Sequence, residues 1–111
     1  MKLENASLRE LLDNDTEALN SVYEAYLRSV HDIEIALSDA LVANEKQEII
    51  NATHKLKSSA FSVGAMELGR QCEWIESHTF SLSITELAPH IEALMLLSKK
   101  ANASIRILLA A

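Results

Sequence analysis

Residues 16–43 read TEALNSVYEAYLRSVHDIEIALSDALVA. Leu19, Val22, Tyr23, Tyr26, Leu27, Val30, Ile33, Leu37 and Leu41 recur in this stretch every three or four residues, which is the period of one face of an α-helix. The pattern predicts a helix over about 16–43, continuous or bent near His31-Asp32, with Asp15 or Thr16 as its N-cap and Ala43-Asn44 at its end. A helix of this length with an apolar stripe down one side needs other helices to cover that stripe.

The flanking sequence supplies them. A third helix is expected over about 45–62, with Ile49, Thr53, Leu56, Ala60 and Val63 inside. Gly64 follows at the point where a left-handed residue commonly ends a helix. A fourth runs over about 65–79 and buries Leu68, Cys72, Ile75 and Thr79. A fifth covers about 85–109, beginning between Thr85 and Pro89, because proline is tolerated in a first turn. Its stripe is Leu87, Ile91, Leu94, Ser98, Ala101, Ile105 and Leu108. Ahead of them all, residues 7–12 read as a short helix. Ser7 and Glu10 have capping-box spacing, and Leu8, Leu11 and Leu12 form the apolar side. The expected fold is all-α: an antiparallel up-and-down four-helix bundle with a short extra N-terminal helix, forming a single domain over residues 1–111.

Composition agrees. Two glycines and one proline in 111 residues leave too few turn formers for an all-β fold. A net charge of −6 argues against nucleic acid as a partner. A lone cysteine rules out an internal disulfide and fits a reducing, cytoplasmic setting. No apolar run approaches the roughly 18 residues that span a bilayer, and the N-terminus lacks a signal-peptide core, so no membrane association is expected. The apolar stripes can all be used up within one bundle, so a monomer is expected.

The third helix has an unusual outer face. At about 100° per residue, with Leu56 set inward, His54 falls near 160° and Ser58 near 200°, both outward. Lys57 lies near 100°, while Ile50 near 120° and Phe61 near 140° flank the histidine along the helix. An apolar patch around an ionisable group suggests a docking surface. A surface histidine with chance neighbours gives the same pattern.

The next helix adds a second observation. His54 and Glu76 lie about eleven residues either side of the Gly64-Ala65 turn, so an antiparallel hairpin puts them at the same height. Glu76 sits on the shoulder of its apolar stripe and needs a partner if half-buried. A carboxylate accepting the Nδ1 proton of His54 would leave Nε2 as a free lone pair facing water. Pairing with Arg70 or Lys57, or with nothing, is equally compatible with this placement.

The run Thr53-His54-Lys55-Leu56-Lys57-Ser58-Ser59-Ala60-Phe61-Ser62-Val63-Gly64-Ala65, followed by Leu68, Cys72 and Glu76, resembles the histidine phosphotransfer domain. Eight positions match that family's pattern in register: the His, Leu, Lys and second Ser, the Gly ten residues after the His, and the Leu, Cys and final acidic residue of the next helix. Ser58 departs from it, standing where the family usually has Gly.

The resemblance implies a phosphocarrier and not an enzyme. His54 would take a phosphoryl group on Nε2 from a receiver-domain aspartate of a hybrid sensor kinase and pass it to the receiver domain of a response regulator. Lys57 would offset phosphoryl charge, with Lys55 adding to it, and Glu76 would orient the ring. Ser58 would narrow access or lend its hydroxyl. Ile50, Phe61, Leu11, Leu12 and Gly64 would make the docking face. No cofactor of its own is implied; Mg²⁺ would come with the receiver. Gly64 and Gly69 form no phosphate-binding loop, so no ATP site of that kind exists.

Three other readings compete. A kinase dimerisation domain usually has an acidic residue after its histidine, where this chain has Lys55, and a nearby proline, whereas the sole proline is Pro89. A metal-binding bundle needs paired ligands, yet His31, His54, His78 and His90 show no i,i+3 or i,i+4 pairing. A purely structural helical scaffold would have no need of an exposed imidazole.

Overall fold

The computed structural model describes residues 1–110. Its elements are α1 (Ala6–Leu11), α2 (Thr16–Val42), α3 (Lys46–Ser62), α4 (Met66–His78) and α5 (Ile84–Ala110). Among the described residues there is no strand. The fold class is the expected one. Helices α2 to α5 touch in a closed ring, α2–α3, α3–α4, α4–α5 and α2–α5. The resulting bundle measures 44 × 20 × 19 Å.

The α2 helix is one unbroken helix of 27 residues, capped by Asp15, whose carboxylate accepts from the Glu17 and Ala18 N–H groups. It stops because Asn44 turns left-handed (φ 57°) while the Asn44 and Glu45 N–H groups close back on Leu41 and Ala40. The same closure ends α3. Gly64 has φ +79°, its N–H reaches Phe61, and the Ala65 N–H reaches Ala60.

The inner stripes read from the sequence are the core. Ile49, Leu56, Ala60, Val63, Leu68, Cys72, Ile75, Leu87, Leu94, Ala101 and Ile105 are fully buried. Burying one such Leu or Ile is worth about 1.5–3 kcal/mol. That burial fixes the rotation of each helix about its axis, and hence which side chains are left outside.

Three expectations are corrected. The α1 helix starts at Ala6, with Ser7 inside it and Asn5 at the N-cap, and no side chain caps it. The reason is tertiary: the Asn5 amide donates to the Tyr23 hydroxyl, and the Glu4 N–H donates to the Gly64 carbonyl. These two bonds set where the chain enters α1. The α5 helix starts at Ile84, one residue ahead of the expected range Thr85–Pro89. Ser83 and Glu86 form a reciprocal capping box, each backbone N–H donating to the other's side-chain oxygen at 3.0 Å. Pro89 therefore lies in the second turn and removes one ladder hydrogen bond there.

Candidate functional site

His54 owes its position to Thr53. The Thr53 side chain is fully buried and donates its hydroxyl to the Ile49 carbonyl at 2.8 Å. One residue on is a rotation of about 100°, so the core that pulls Thr53 inward turns His54 outward. The His54 side chain is 59% exposed.

Glu76 meets it from α4. Ile75, beside Glu76 in sequence, is fully buried, which leaves Glu76 on the shoulder facing α3 with its side chain 23% exposed. His54 Nδ1–H donates to Glu76 Oε1 at 2.8 Å. Lys57, one turn along α3, donates its ammonium to Glu76 Oε2, also at 2.8 Å. Both carboxylate oxygens are therefore engaged, one by each α3 side chain.

The electrostatics follow from that sharing. The Lys57 ammonium holds the Glu76 carboxyl below the usual carboxylate range; partial burial opposes this, and the His54 bond adds to the lowering. The same hydrogen bond raises the Lys57 ammonium above its ordinary value. An ionised carboxylate only accepts hydrogen bonds, so the proton in the His54 contact sits on Nδ1. In the neutral ring Nε2 then carries the lone pair. The arrangement is a nucleophilic nitrogen held in one tautomer at the protein surface.

The remaining expected residues are spread around this centre. Ser58 is exposed one turn beyond His54. Lys55 is exposed but lies along the α2–α3 groove with Asp32, Glu48 and Asn51, so it does not join the cluster at His54. Ile50 is half-buried. Phe61 is half-buried too, because its ring lies over Gly69 of α4, where a Cβ would come within 2.3 Å of it. Gly64 corrects the expectation most clearly. It is buried, and a Cβ there would sit 2.3 Å from the Glu4 carbonyl oxygen, so it offers no surface to a partner. Leu12 is half-buried against the core fringe, while Leu11 is 80% exposed. Both follow the entry to α1, which begins beside Gly64 at the end of the bundle. That end is about 15 Å along α3 from the level of His54.

Sequence reasoning missed two features. Gly69 serves as the bed for the Phe61 ring, and nothing in a single sequence marks a helical glycine as a seat for an aromatic side chain. Trp74 lies on the α4–α5 surface, its ring 4.1 Å from His78 and 4.4 Å from His90. His78 Nδ1–H donates to the Trp74 carbonyl at 2.7 Å and anchors that stack. The i,i+4 spacing of Trp74 and His78 was a visible signal for it. Among the described residues, no three His, Cys, Asp or Glu side chains gather closely enough to hold a metal ion.

No curated protein and no solved structure matches the chain significantly. The family model of the Hpt domain does, over residues 6–103. That span takes in α1 and the bundle together with His54, Lys57 and Glu76, and by it the chain belongs to the Hpt domain family, whose members carry out histidine phosphotransfer in phosphorelays.

Proposed function

We propose that this protein relays a phosphoryl group between two receiver domains through His54. The Nε2 lone pair attacks the phosphorus of a receiver aspartyl phosphate. The N–P bond forms as the acyl P–O bond breaks, and the electron pair leaves on the aspartate carboxylate. Nδ1 keeps its proton, and the ring takes up positive charge next to Glu76. The second receiver reverses the step with its own aspartate.

The observation that carries this reading is the exposed imidazole whose Nδ1 is pinned by Glu76 at 2.8 Å. Phosphoryl transfer through a loose transition state calls mainly for positioning and charge neutralisation. A rigid helix supplies the positioning. The Mg²⁺ ion and most of the neutralisation come with the receiver, so the chain carries no cofactor and no autokinase activity. Lys57 supplies positive charge on this side of the transfer, with Lys55 at longer range, and Ser58 is small enough to let the receiver loop approach.

Docking centres on Ile50 and Phe61, with Leu11 and Leu12 as an outlying apolar contact. The partners are the receiver domains of a hybrid sensor kinase and a response regulator. They meet a monomeric carrier in the cytoplasm.

The test is incubation with a phosphorylated receiver domain and Mg²⁺. Acid-labile, base-stable label is expected on the wild-type chain and none on His54→Gln. A wild-type chain that stays unlabelled with several receivers would instead be a helical scaffold.

A further inference from the structure

At rest the Lys57 ammonium is already engaged before any phosphoryl group arrives. It is bound to Glu76 Oε2, and the other oxygen of that carboxylate holds Nδ1 of the ring. The transferable group arrives on Nε2, across the imidazole. We infer that Lys57 changes partners during the relay: Glu76 holds it in the resting protein, and the phosphoryl group takes it over once His54 is loaded. This rests on the proposal that His54 is the carrier.

Charge accounting supports the exchange. At rest, Lys57 and Glu76 neutralise one another beside a neutral imidazole. Loading Nε2 brings close to two negative charges and three strong acceptor oxygens, a stronger lure for an ammonium than one carboxylate oxygen. The N–P bond simultaneously makes the ring cationic while Nδ1–H stays on Glu76 Oε1. When Lys57 leaves, Glu76 thus trades an ammonium for an imidazolium, so each cation has an anionic partner, ring with Glu76 and ammonium with phosphoryl, and about one negative charge is left on the phosphoryl oxygens for water and the receiver. An amide at position 76 could orient the ring but could neither hold Lys57 at rest nor pair with the cationic ring. The carboxylate accordingly makes Lys57 a reserve charge, released when the phosphoryl group arrives. Lys57 is three residues along α3 from His54 and within one side-chain length of either partner.

The experiment loads ¹⁵N-lysine protein with phosphoramidate, which donates its phosphoryl group as its own P–N bond breaks and ammonia leaves. The Lys57 ammonium resonance is identified by its absence in Lys57→Met. It is expected to shift on loading. In Glu76→Gln the resting position should differ from wild type, while the loaded position should coincide with the loaded wild type. A Lys57 signal that stays put on loading overturns the inference, and so does a loaded position displaced by Glu76→Gln as far as the resting one.

Phosphohistidine lifetime gives a second readout. Lys57→Met should shorten it several-fold, by the same factor within about twofold in the wild-type and Glu76→Gln backgrounds, since uncoupled effects add. An effect confined to the Glu76 background, or no effect in either, would mean that Lys57 acts only on the carboxylate. A protein that takes up no phosphoryl group from phosphoramidate or from any receiver sinks the carrier reading along with this one, a result distinct from normal loading with an unmoved lysine.

Discussion

His54 is a surface residue that the core can do without, while Glu76 and Lys57 are held by each other, so the three respond differently to change. Replacing His54 by Gln is expected to remove all phosphoryl labelling and to shift stability by less than about 1 kcal/mol, as for other exposed positions. Chemical denaturation paired with the labelling assay checks both. Glu76 responds to pH. Its carboxyl is lowered in the folded state, so the stability it contributes is present above the ordinary carboxylate value near 4.3 and is lost as pH falls through the lower folded value. Lys57, raised when folded, adds stability that is present below its ordinary value and lost as pH rises through the folded one. The gap in melting temperature between wild type and Glu76→Gln should therefore hold from about pH 6 to 9 and close below about pH 4. A gap unchanged at pH 3 would show that Glu76 stabilises by packing alone. Cys72 is a further case: burial pushes its thiol up to about 12, with the Glu76 charge adding to the shift. It should resist alkylation in the folded protein at neutral pH and react on denaturation.

Helix ends were the least legible elements in the sequence, because an end is a competition between caps. Ser7-x-x-Glu10 has the spacing of a capping box, yet Asn5 and Glu4 are tied to Tyr23 and Gly64, and those long-range bonds override the local motif. Ser83-x-x-Glu86 has the same spacing and does form the box. Gly64 was legible as a helix stop but not as a covered joint. Its positive φ is the smaller half of its role; the larger is the contact with Glu4, which lets the N-terminal segment cross the α3–α4 turn. Gly64→Ala is expected to cost about 2 kcal/mol or more, from the left-handed backbone and from the displaced Glu4 carbonyl. Faster amide exchange at Glu4 should accompany the loss. An alanine variant with an unaltered melting curve and a protected Glu4 amide would mean that the turn relaxes at no cost.

At the scale of the molecule the bundle was readable because four stripes of spacing 3.6 had only one another to cover them, and the same stripes set which faces stay outside, including that of His54. The site was readable at His54, Lys57 and Glu76, because helical rotation and hairpin height follow from counting residues. What counting misses is how side chains settle between helices: Phe61 folds onto Gly69, Trp74 lies between two histidines, and Lys55 turns toward α2. The buried interior carries a related surprise. Tyr26 Oη on α2, and Ser98 Oγ and Asn102 Oδ1 on α5, are buried without a hydrogen-bond partner. Burial also drives the Tyr26 phenol well above its ordinary range, which keeps it neutral. A buried hydroxyl with no partner costs about 1–3 kcal/mol of desolvation and returns nothing. Tyr26→Phe keeps the ring and removes that oxygen, so it is expected to leave stability unchanged or raise it by about 1 kcal/mol, with phosphoryl labelling unaffected. Ser98→Ala should behave alike, with a further gain of about 0.5 kcal/mol from helix propensity. Urea denaturation of the two single variants and the double variant measures this. A loss above about 1 kcal/mol in Tyr26→Phe would mean that the hydroxyl is satisfied in solution by a buried water, and the site would then be hydrated and not a packing defect.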